Sequence, residues 1–316
     1  MKKIISLVVS LVILAIIYTK IDVTQLLQVF QNSDRLWMVV SLAMVIPLTL
    51  LTSWRLQQLM PRSGVLRFGE ANRLILASST LNMILPSKMG DIAKAYFMRE
   101  RGHLAGSLAL SLVIFEKTCD MLSLLLWCVF GLFFYPNKDV LFWVMTLGVA
   151  AGLLLGILLL GSRRFAYFFF TQTHKIAPGK FKAKIDRFQY AWDEMHGYFW
   201  GEPTHLAKVA LTSVFIWFGH LLQIWFFIFA LRASVPLLAN LALSPLAILA
   251  GLLPLTFAGV GTRDAALILF YQPYFGDATG AALGLLCTSR YFIPAVAGLP
   301  FLGRYFTTVR QFKGSK

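Results

Sequence analysis

The chain has 316 residues, of which 58% are hydrophobic and 14% are charged, and its mean hydropathy is +0.71. This composition excludes an ordinary soluble domain, and the long Leu, Ile and Phe runs exclude a β-barrel with its short alternating strands. The net charge of +15 at pH 7 fits Lys and Arg collecting in cytoplasmic loops beside anionic lipid. We therefore expect no nucleic-acid partner.

Apolar segments of about twenty residues, the length that crosses about 30 Å of hydrocarbon, recur along the chain. The sequence predicts about six full transmembrane helices, at 4–20, 35–54, 104–134, 140–160, 206–231 and 277–300. The run that follows Met1 lacks the cleavage site of a signal peptide, so we expect an uncleaved first helix. The predicted fold class is an all-α polytopic membrane protein.

Two shorter apolar segments, 74–85 and 237–257, each end near a Leu-Pro pair that is followed by Gly and Asp. Proline interrupts a helix and glycine tolerates the turn that follows, so these are predicted broken helices. The predicted hinge residues are Pro86, Gly90, Pro254, Gly259 and Gly261. The first segment spans only about 18 Å as a helix and has basic residues on both sides, so it must enter and leave from the cytoplasm. The second must open outward, which gives two re-entrant hairpins.

Most of the 29 Lys and Arg residues then fall in cytoplasmic segments, which favours both termini in the cytoplasm. Arg55 is counted among these cytoplasmic cations. Residues 35–134 read as helix, hairpin, helix, and residues 205–300 repeat this order in the opposite orientation, which is the inverted-repeat plan of secondary transporters. We expect the whole chain, 1–316, to form a single transmembrane domain. Its other parts are the first helix and outer loop (1–34), a linking helix with an amphipathic segment (135–204) and a basic tail (301–316).

The amphipathic segment lies within 162–200. Its apolar residues recur at steps of three or four: Phe181, Ile185, Phe188, Trp192, Met195 and Phe199. This spacing predicts an amphipathic helix on the cytoplasmic interface of the membrane. A plain interfacial linker is favoured over a specific lipid-binding role.

Charged residues beside the breaks or inside apolar helices are the candidate substrate-binding residues. A charge at a helix centre costs roughly 2.5–3.5 kcal/mol on insertion scales, so it normally faces a cavity or a partner. The candidates are Lys88, Asp91, Lys94, Glu116, Asp120, Arg263, Asp264 and Arg290. For Asp91 a helix cap remains an equal alternative, and for Lys88 an interfacial lysine does.

Arg263 and Arg290 are the cations that we expect to bind an anionic headgroup, with Glu116 or Asp264 as their resting partners. The glycines before Arg263 predict a helix start, with Thr262 as N-cap and open N–H groups that suit an anion. Two alternatives stay open. These charges could form ion pairs between the re-entrant loops, or Glu116 could hold two helices together through Arg290.

No nucleophile–base pair, metal cluster or nucleotide motif is evident, so we expect no cofactor, no metal and no enzyme activity. Cys119, Cys128 and Cys287 are expected to be small buried residues without a disulfide.

The ordered combination of these motifs resembles the lysylphosphatidylglycerol synthase transmembrane family, which includes the flippase domain of multiple peptide resistance factor. The matching residues are Asn82, 85–91, 94–96, Glu116, Lys117, Asp120, 259–264 and Arg290, and the resemblance covers nearly the whole chain. Lys94 stands where arginine is common in the family, and Asp264 stands where glutamate is common. The resemblance implies an integral membrane protein that moves a lipid with a polar headgroup between leaflets.

We therefore expect a lipid flippase or lipid transporter of the cytoplasmic (inner) membrane, with an anionic phospholipid or an isoprenoid-linked lipid as substrate. In this hypothesis the headgroup passes from Lys88, Asp91 and Lys94 to Arg263, Asp264 and Arg290. Because the chain ends at Lys316, we expect no aminoacylation of lipid by this chain alone. Two alternatives remain, a membrane-embedded lipid-modifying transferase with Asp91 or Glu116 as base, and a non-transporting partner of a separate lipid synthase. A homodimer is also left open.

Overall fold

The computed structural model describes residues 23–61, 64–84, 89–135, 138–252 and 261–314. Within these ranges the regular structure is helical, as the fold class predicts. The helices, numbered α1 to α13, are Val23–Gln31, Arg35–Ala43, Val45–Leu59, Phe68–Ile84, Met89–Gly102, Gly106–Phe134, Val140–Gly161, Arg163–Ile176, Gly179–Trp200, Pro203–Ala230, Leu237–Gly251, Thr262–Tyr271 and Asp277–Gly314.

Four helical spans in the described part of the chain are long and apolar enough to cross a membrane. They are Arg35–Leu59, Val140–Gly161, Pro203–Ala230 and Asp277–Gly303. These spans correspond to four of the predicted crossings. The predicted crossing at 104–134 is a single helix of 29 residues, α6, which is not among the four and stays a prediction as a crossing. The predicted crossing at 4–20 lies outside the described residues.

The chain forms two compact units, each assembled from three segments. The first unit contains Met1–Leu48, Leu124–Val149 and Trp217–Ile293, and the second contains Thr49–Ser123, Ala150–Ile216 and Pro294–Lys316. In the second unit, side chains such as Leu56, Met98 and Leu112 form a continuous buried core. The rings of Phe115 and Phe199 stack in this core with centroids 3.8 Å apart.

Helices α4 and α5, on either side of the first Leu-Pro break, pack against each other in the second unit. Their approach depends on Gly90, because an added Cβ would lie 2.7 Å from the backbone nitrogen of Asn82. The hydroxyl of Ser78 donates to the Gly90 carbonyl at 3.0 Å. Helix α4 begins at Phe68, ahead of the predicted apolar segment, and its added turns contain Glu70, Asn72 and Arg73. The helix is therefore longer than the apolar segment, and its re-entrant path stays a prediction.

Helices α11 and α12, on either side of the second break, form a similar pair in the first unit. A Cβ added at Gly251 would lie 2.7 Å from the Cβ of Arg263, so glycine sets how closely the two helices approach. The buried Tyr271 hydroxyl donates to Asn240 Oδ1 at 2.9 Å and lies 2.7 Å from the Ser244 hydroxyl. This hydrogen bonding satisfies polar groups that the apolar surroundings would otherwise leave unpaired.

The predicted amphipathic segment is a pair of helices, α8 and α9, in the second unit. The indole of Trp192 donates to the Leu159 carbonyl at 2.9 Å, which ties α9 to the end of α7. Trp192, Met195 and Phe199 are buried, whereas Phe181 and Phe188 are exposed. The prediction of one interfacial face is thus corrected, because the C-terminal half of that face packs into the protein core.

Candidate functional site

The first group of predicted site residues comes together in the second unit, around the carboxylate of Glu116. Arg55 Nη2 lies 2.9 Å from Glu116 Oε1, and Lys94 Nζ forms an ion pair with the other carboxylate oxygen. Helices α3, α5 and α6 each contribute one of these three side chains. Arg55 and Lys94 are each 2% exposed and Glu116 is 1% exposed, so all three charges are withdrawn from solvent.

A second layer of charges extends this group. Arg55 also forms an ion pair with Asp120, and its Nη2 lies 3.3 Å from Asp120 Oδ2. Lys117 Nζ lies 3.8 Å from Asp120 Oδ2 and 3.5 Å from Asp91 Oδ1. Asp91 therefore lies in the first turn of α5 and also pairs with a cation of α6, and its role as a helix cap stays a prediction.

These six residues, Arg55, Asp91, Lys94, Glu116, Lys117 and Asp120, form what we call the α3–α5–α6 network. Its three cations balance its three carboxylates, so the network is neutral as a whole. Each member has an opposite charge within 4.0 Å. Arg55, Lys94 and Glu116 are buried, so removing the Glu116 carboxylate leaves an uncompensated buried charge, whereas the Lys117 side chain is 48% exposed.

Arg55 and Lys117 are absent from the candidate binding residues that the sequence predicts. Arg55 is buried, and its Nη1 also donates to the Ser213 hydroxyl at 2.9 Å, while its position on the cytoplasmic side stays a prediction. Glu116 was expected to rest against Arg263 or Arg290, but it pairs with Arg55 and Lys94. A charge count gave the available signal, since Glu116 and Asp120 outnumber the single cation Lys117 inside the same apolar helix.

The second group lies in the first unit, where α12 begins. Gly261 is the N-cap, with a φ of 102° that glycine adopts without steric cost. Its amide donates to Asp264 Oδ2 at 3.0 Å, which closes the first turn. Thr262 was expected to be the N-cap and is instead the first helical residue, because the turn into the helix needs the positive φ of glycine.

The Arg263 side chain donates hydrogen bonds to residues of α12 and of α13. Its Nε and Nη2 donate to Asp264 Oδ1 at 3.0 and 2.7 Å, which confirms the predicted pairing of Arg263 with Asp264. Nη2 also donates to the Thr288 hydroxyl at 2.6 Å and to the Gly284 carbonyl at 3.2 Å. The carboxylate of Asp264 thus serves both as a helix cap and as the counter-charge of Arg263.

Arg290, two residues beyond Thr288 in α13, has a different environment. It is 5% exposed, and its Nε and Nη1 are buried without a hydrogen-bond partner. Nη2 donates to the Tyr291 hydroxyl at 3.1 Å, and the guanidinium carbon lies 5.1 Å from that ring's centroid. Pro294 follows four residues later and has no N–H, so the Arg290 carbonyl lacks its intrahelical donor. No salt bridge joins Arg290 to a carboxylate among the described residues.

The first-unit group of Arg263, Asp264 and Arg290 therefore has two cations and one carboxylate. Lys88, Pro86, Pro254 and Gly259 lie outside the described residues. Where the structure describes the chain, no group of three or more His, Cys, Asp or Glu side chains is placed to hold a metal ion. Cys119, Cys128 and Cys287 are buried free thiols.

Comparison with known proteins connects this geometry to a membrane family. The family model of the lysylphosphatidylglycerol synthase TM region matches residues 3–298. The chain belongs to this family. A curated relative, the UPF0104 membrane protein MJ1595 of Methanocaldococcus jannaschii, is 21% identical over 315 residues, which cover 94% of this chain and 93% of the relative. The predicted resemblance is thereby confirmed, and the four apolar spans agree with an integral membrane protein.

Membership of the lysylphosphatidylglycerol synthase TM family links the chain to a membrane region that is associated with lipid handling. The two groups of charged residues differ in whether carboxylates balance their cations. The α3–α5–α6 network is internally balanced, whereas the group around Arg290 has an unbalanced buried cation. An anion is the ligand that this second group is able to accept.

Proposed function

We propose that this protein moves a lipid with an anionic polar headgroup across the cytoplasmic (inner) membrane, and that Arg290 binds the headgroup. One observation carries the proposal. Among the described residues, the buried cations are Arg55, Lys94, Arg263 and Arg290, and Arg290 alone lacks a carboxylate partner. The family match supports a lipid as the source of the missing anion.

A buried charge without a partner lowers the stability of a protein. Breaking a buried ion pair by removing one partner typically costs about 3–5 kcal/mol, because the remaining charge is uncompensated. Arg290 is in that situation, with Nε and Nη1 both unpaired. A guanidinium donates charge-assisted hydrogen bonds to phosphate oxygens, and Nε and Nη1 lie on different edges of the guanidinium plane, so each of them would donate to a separate anionic oxygen.

A transport role fits the carboxylates better than catalysis does. A general base needs a free lone pair within reach of a substrate proton. Both oxygens of Glu116 are engaged by cations, and Asp91 faces Lys117 and the amide of Asn82. We therefore propose no catalytic role for either residue. The distribution of basic residues supports placing both termini in the cytoplasm.

The test is a lipid-scrambling assay in proteoliposomes with tail-labelled phosphatidylglycerol, whose inner-leaflet copies are protected from an added quencher. Losing charge-assisted hydrogen bonds of about 1.5–3 kcal/mol corresponds to roughly a 10- to 100-fold slower exchange in Arg290→Gln. Arg290→Lys keeps the charge but loses the fork, so we expect an intermediate rate. Arg35→Gln, which removes an exposed cation of the same unit, serves as the matched control. Scrambling by a folded Arg290→Gln protein at the wild-type rate would show that Arg290 does not bind the transported headgroup.

A further inference from the structure

One side of helix α8 is closed by polar contacts with α9, in the second unit. Three contacts join the two helices: Arg163 Nε donates to His196 Nδ1 at 3.1 Å, the Tyr167 hydroxyl donates to Asp193 Oδ2 at 2.7 Å, and His174 Nε2 lies 3.4 Å from Asp186 Oδ1. At 3.6 residues per turn, the three α8 residues of these contacts lie within about 40° of one another around the helix axis. They define the side of α8 that faces α9.

The opposite side of α8 is apolar and open to the surroundings. Phe165, Phe168, Phe169 and Ile176 fall within about 100° of one another, centred roughly opposite the α9 contacts. Phe168 is 60% exposed, Phe169 is 37% exposed and Ile176 is 83% exposed. A contiguous exposed apolar surface of this kind marks a place where another protein or a membrane binds. We call these four residues the outer face of α8.

The position of α8 along the chain indicates which of the two it is. Helix α7 is one of the four helices that are long and apolar enough to cross a membrane, and only Ser162 separates its end from α8. The indoles of Trp192 and Trp200 donate to the Leu159 and Leu160 carbonyls, each at 2.9 Å, so α9 is also tied to this end of α7. Because a spanning helix ends where the hydrocarbon of the bilayer ends, α8 begins at the membrane surface.

The charges of α8 show which kind of membrane surface it suits. Its sequence contains basic residues and no Asp or Glu. Arg164 and Lys175 are exposed, and they lie four residues before and seven residues after Phe168, so both border the outer face. No salt bridge joins either of them to a carboxylate among the described residues. An aromatic face bordered by cations is typical of a helix that lies in the interface of an anionic leaflet.

We propose that α8 is a membrane-surface helix that docks on the leaflet in which α7 ends, and that it concentrates anionic phospholipid there. Arg164 and Lys175 contact headgroup phosphates, while the outer face enters the boundary between headgroups and acyl chains. The sequence predicts the interfacial face on α9 instead, but the C-terminal half of that face packs into the protein core. The proposal does not depend on the role assigned to Arg290.

The experiment reads the surroundings of α8 in the full-length protein, reconstituted in nanodiscs, with the environment-sensitive fluorophore NBD. The native cysteines are buried, so a label on Phe168→Cys reports on the outer face. Tyr190→Cys is the matched control, because Tyr190 is 62% exposed but lies on α9. The residues three and four positions from Tyr190 are all charged: Asp186, Arg187, Asp193 and Glu194.

Quenching by lipids that carry a doxyl group on an acyl chain measures contact with the membrane. We expect the label at position 168 to be quenched at least about threefold more strongly than the label at position 190, because only the outer face enters the leaflet. In phosphatidylcholine nanodiscs, doxyl-phosphatidylglycerol should reach half-quenching at about a fivefold lower mole fraction than doxyl-phosphatidylcholine, the effect of one Lys or Arg near an anionic surface.

Two charge variants test the lipid preference. Arg164→Gln/Lys175→Gln should remove the preference for phosphatidylglycerol while the label at position 168 stays in the membrane. Arg99→Gln/Arg101→Gln removes two exposed cations of α5 in the same unit and should keep the preference. If Phe168→Cys does not fold, Ile176→Cys labels the same face.

Three results would overturn the proposal. A label on the outer face that is as accessible to water as the label at position 190 would show that this face does not enter the membrane. An apolar surrounding without quenching by either lipid would show that a second copy or another segment of the chain covers it. Equal quenching by the two lipids, or an equal loss of preference in the two charge variants, would show that α8 does not concentrate anionic lipid.

Discussion

Replacing Glu116 by glutamine tests whether the α3–α5–α6 network is a balanced set of charges. The substitution keeps the volume of the side chain but removes the carboxylate that Arg55 and Lys94 share. Arg55 retains Asp120 as a counter-charge, whereas Lys94 retains none within 4.0 Å among the described residues. Lys94 is 2% exposed, so its ammonium becomes a buried charge without a partner.

The expected magnitude follows from this count of partners. Leaving one buried charge unpaired should lower the free energy of unfolding of Glu116→Gln by about 3–5 kcal/mol. Removing the orphaned charge as well, in Lys94→Met/Glu116→Gln, restores a neutral network and should recover most of that loss. Asp120→Asn should cost only about 1 kcal/mol, since its side chain is 23% exposed and Arg55 keeps Glu116.

The assay is denaturant-induced unfolding in detergent micelles, followed by tryptophan fluorescence, for the wild type and the complete double-mutant cycle. The cycle isolates the coupling between Lys94 and Glu116, which should be favourable by at least 1 kcal/mol. The reasoning is refuted if the double variant is no more stable than Glu116→Gln, because the loss would then not come from an uncompensated lysine.

Two further predictions concern local packing and pH. Gly90→Ala should lower the free energy of unfolding by about 1–3 kcal/mol, because the added Cβ would meet the backbone of α4. Gly69→Ala should not lower it, because an added Cβ at Gly69 has open space around it. The unfolding midpoints of the two variants test this difference. Burial and the nearby Arg163 guanidinium lower the pKa of His196 in the folded protein. Below about pH 6.5 the unfolded state therefore binds more protons than the folded state, and the free energy of unfolding falls as the pH falls. We expect the wild type to lose more stability than His196→Gln between pH 7.5 and 5.5, by comparison of unfolding curves; equal losses would contradict the assigned group.

The long apolar helices could be predicted from the sequence because their length and composition are local properties. The charged residues inside α6 could also be singled out, since each charge at membrane depth needs a partner or a cavity. The partners themselves could not be predicted. Arg55 meets Glu116 across 61 positions of the chain, and other arginines are present in the sequence. Only the folded structure, which brings Arg55 Nη2 to 2.9 Å from Glu116 Oε1, selects Arg55.

The amphipathic segment shows a second limit of sequence reasoning. A periodic apolar face indicates that a helix buries one side, but it does not say whether lipid or protein covers that side. Trp192 and Phe199 pack into the second unit, whereas Phe181 on the same predicted face is exposed. The start of α12 is similar, because the cap depends on the positive φ of Gly261 and not on the side chain of Thr262.

The most direct measurement of the central claim is an experimental structure of the protein in nanodiscs that contain phosphatidylglycerol. We predict headgroup density with a phosphate oxygen at about 2.7–2.9 Å from Arg290 Nε or Nη1, and loss of this density in Arg290→Gln. A carboxylate of the protein on either nitrogen, with no headgroup density beside Arg290, would contradict this prediction.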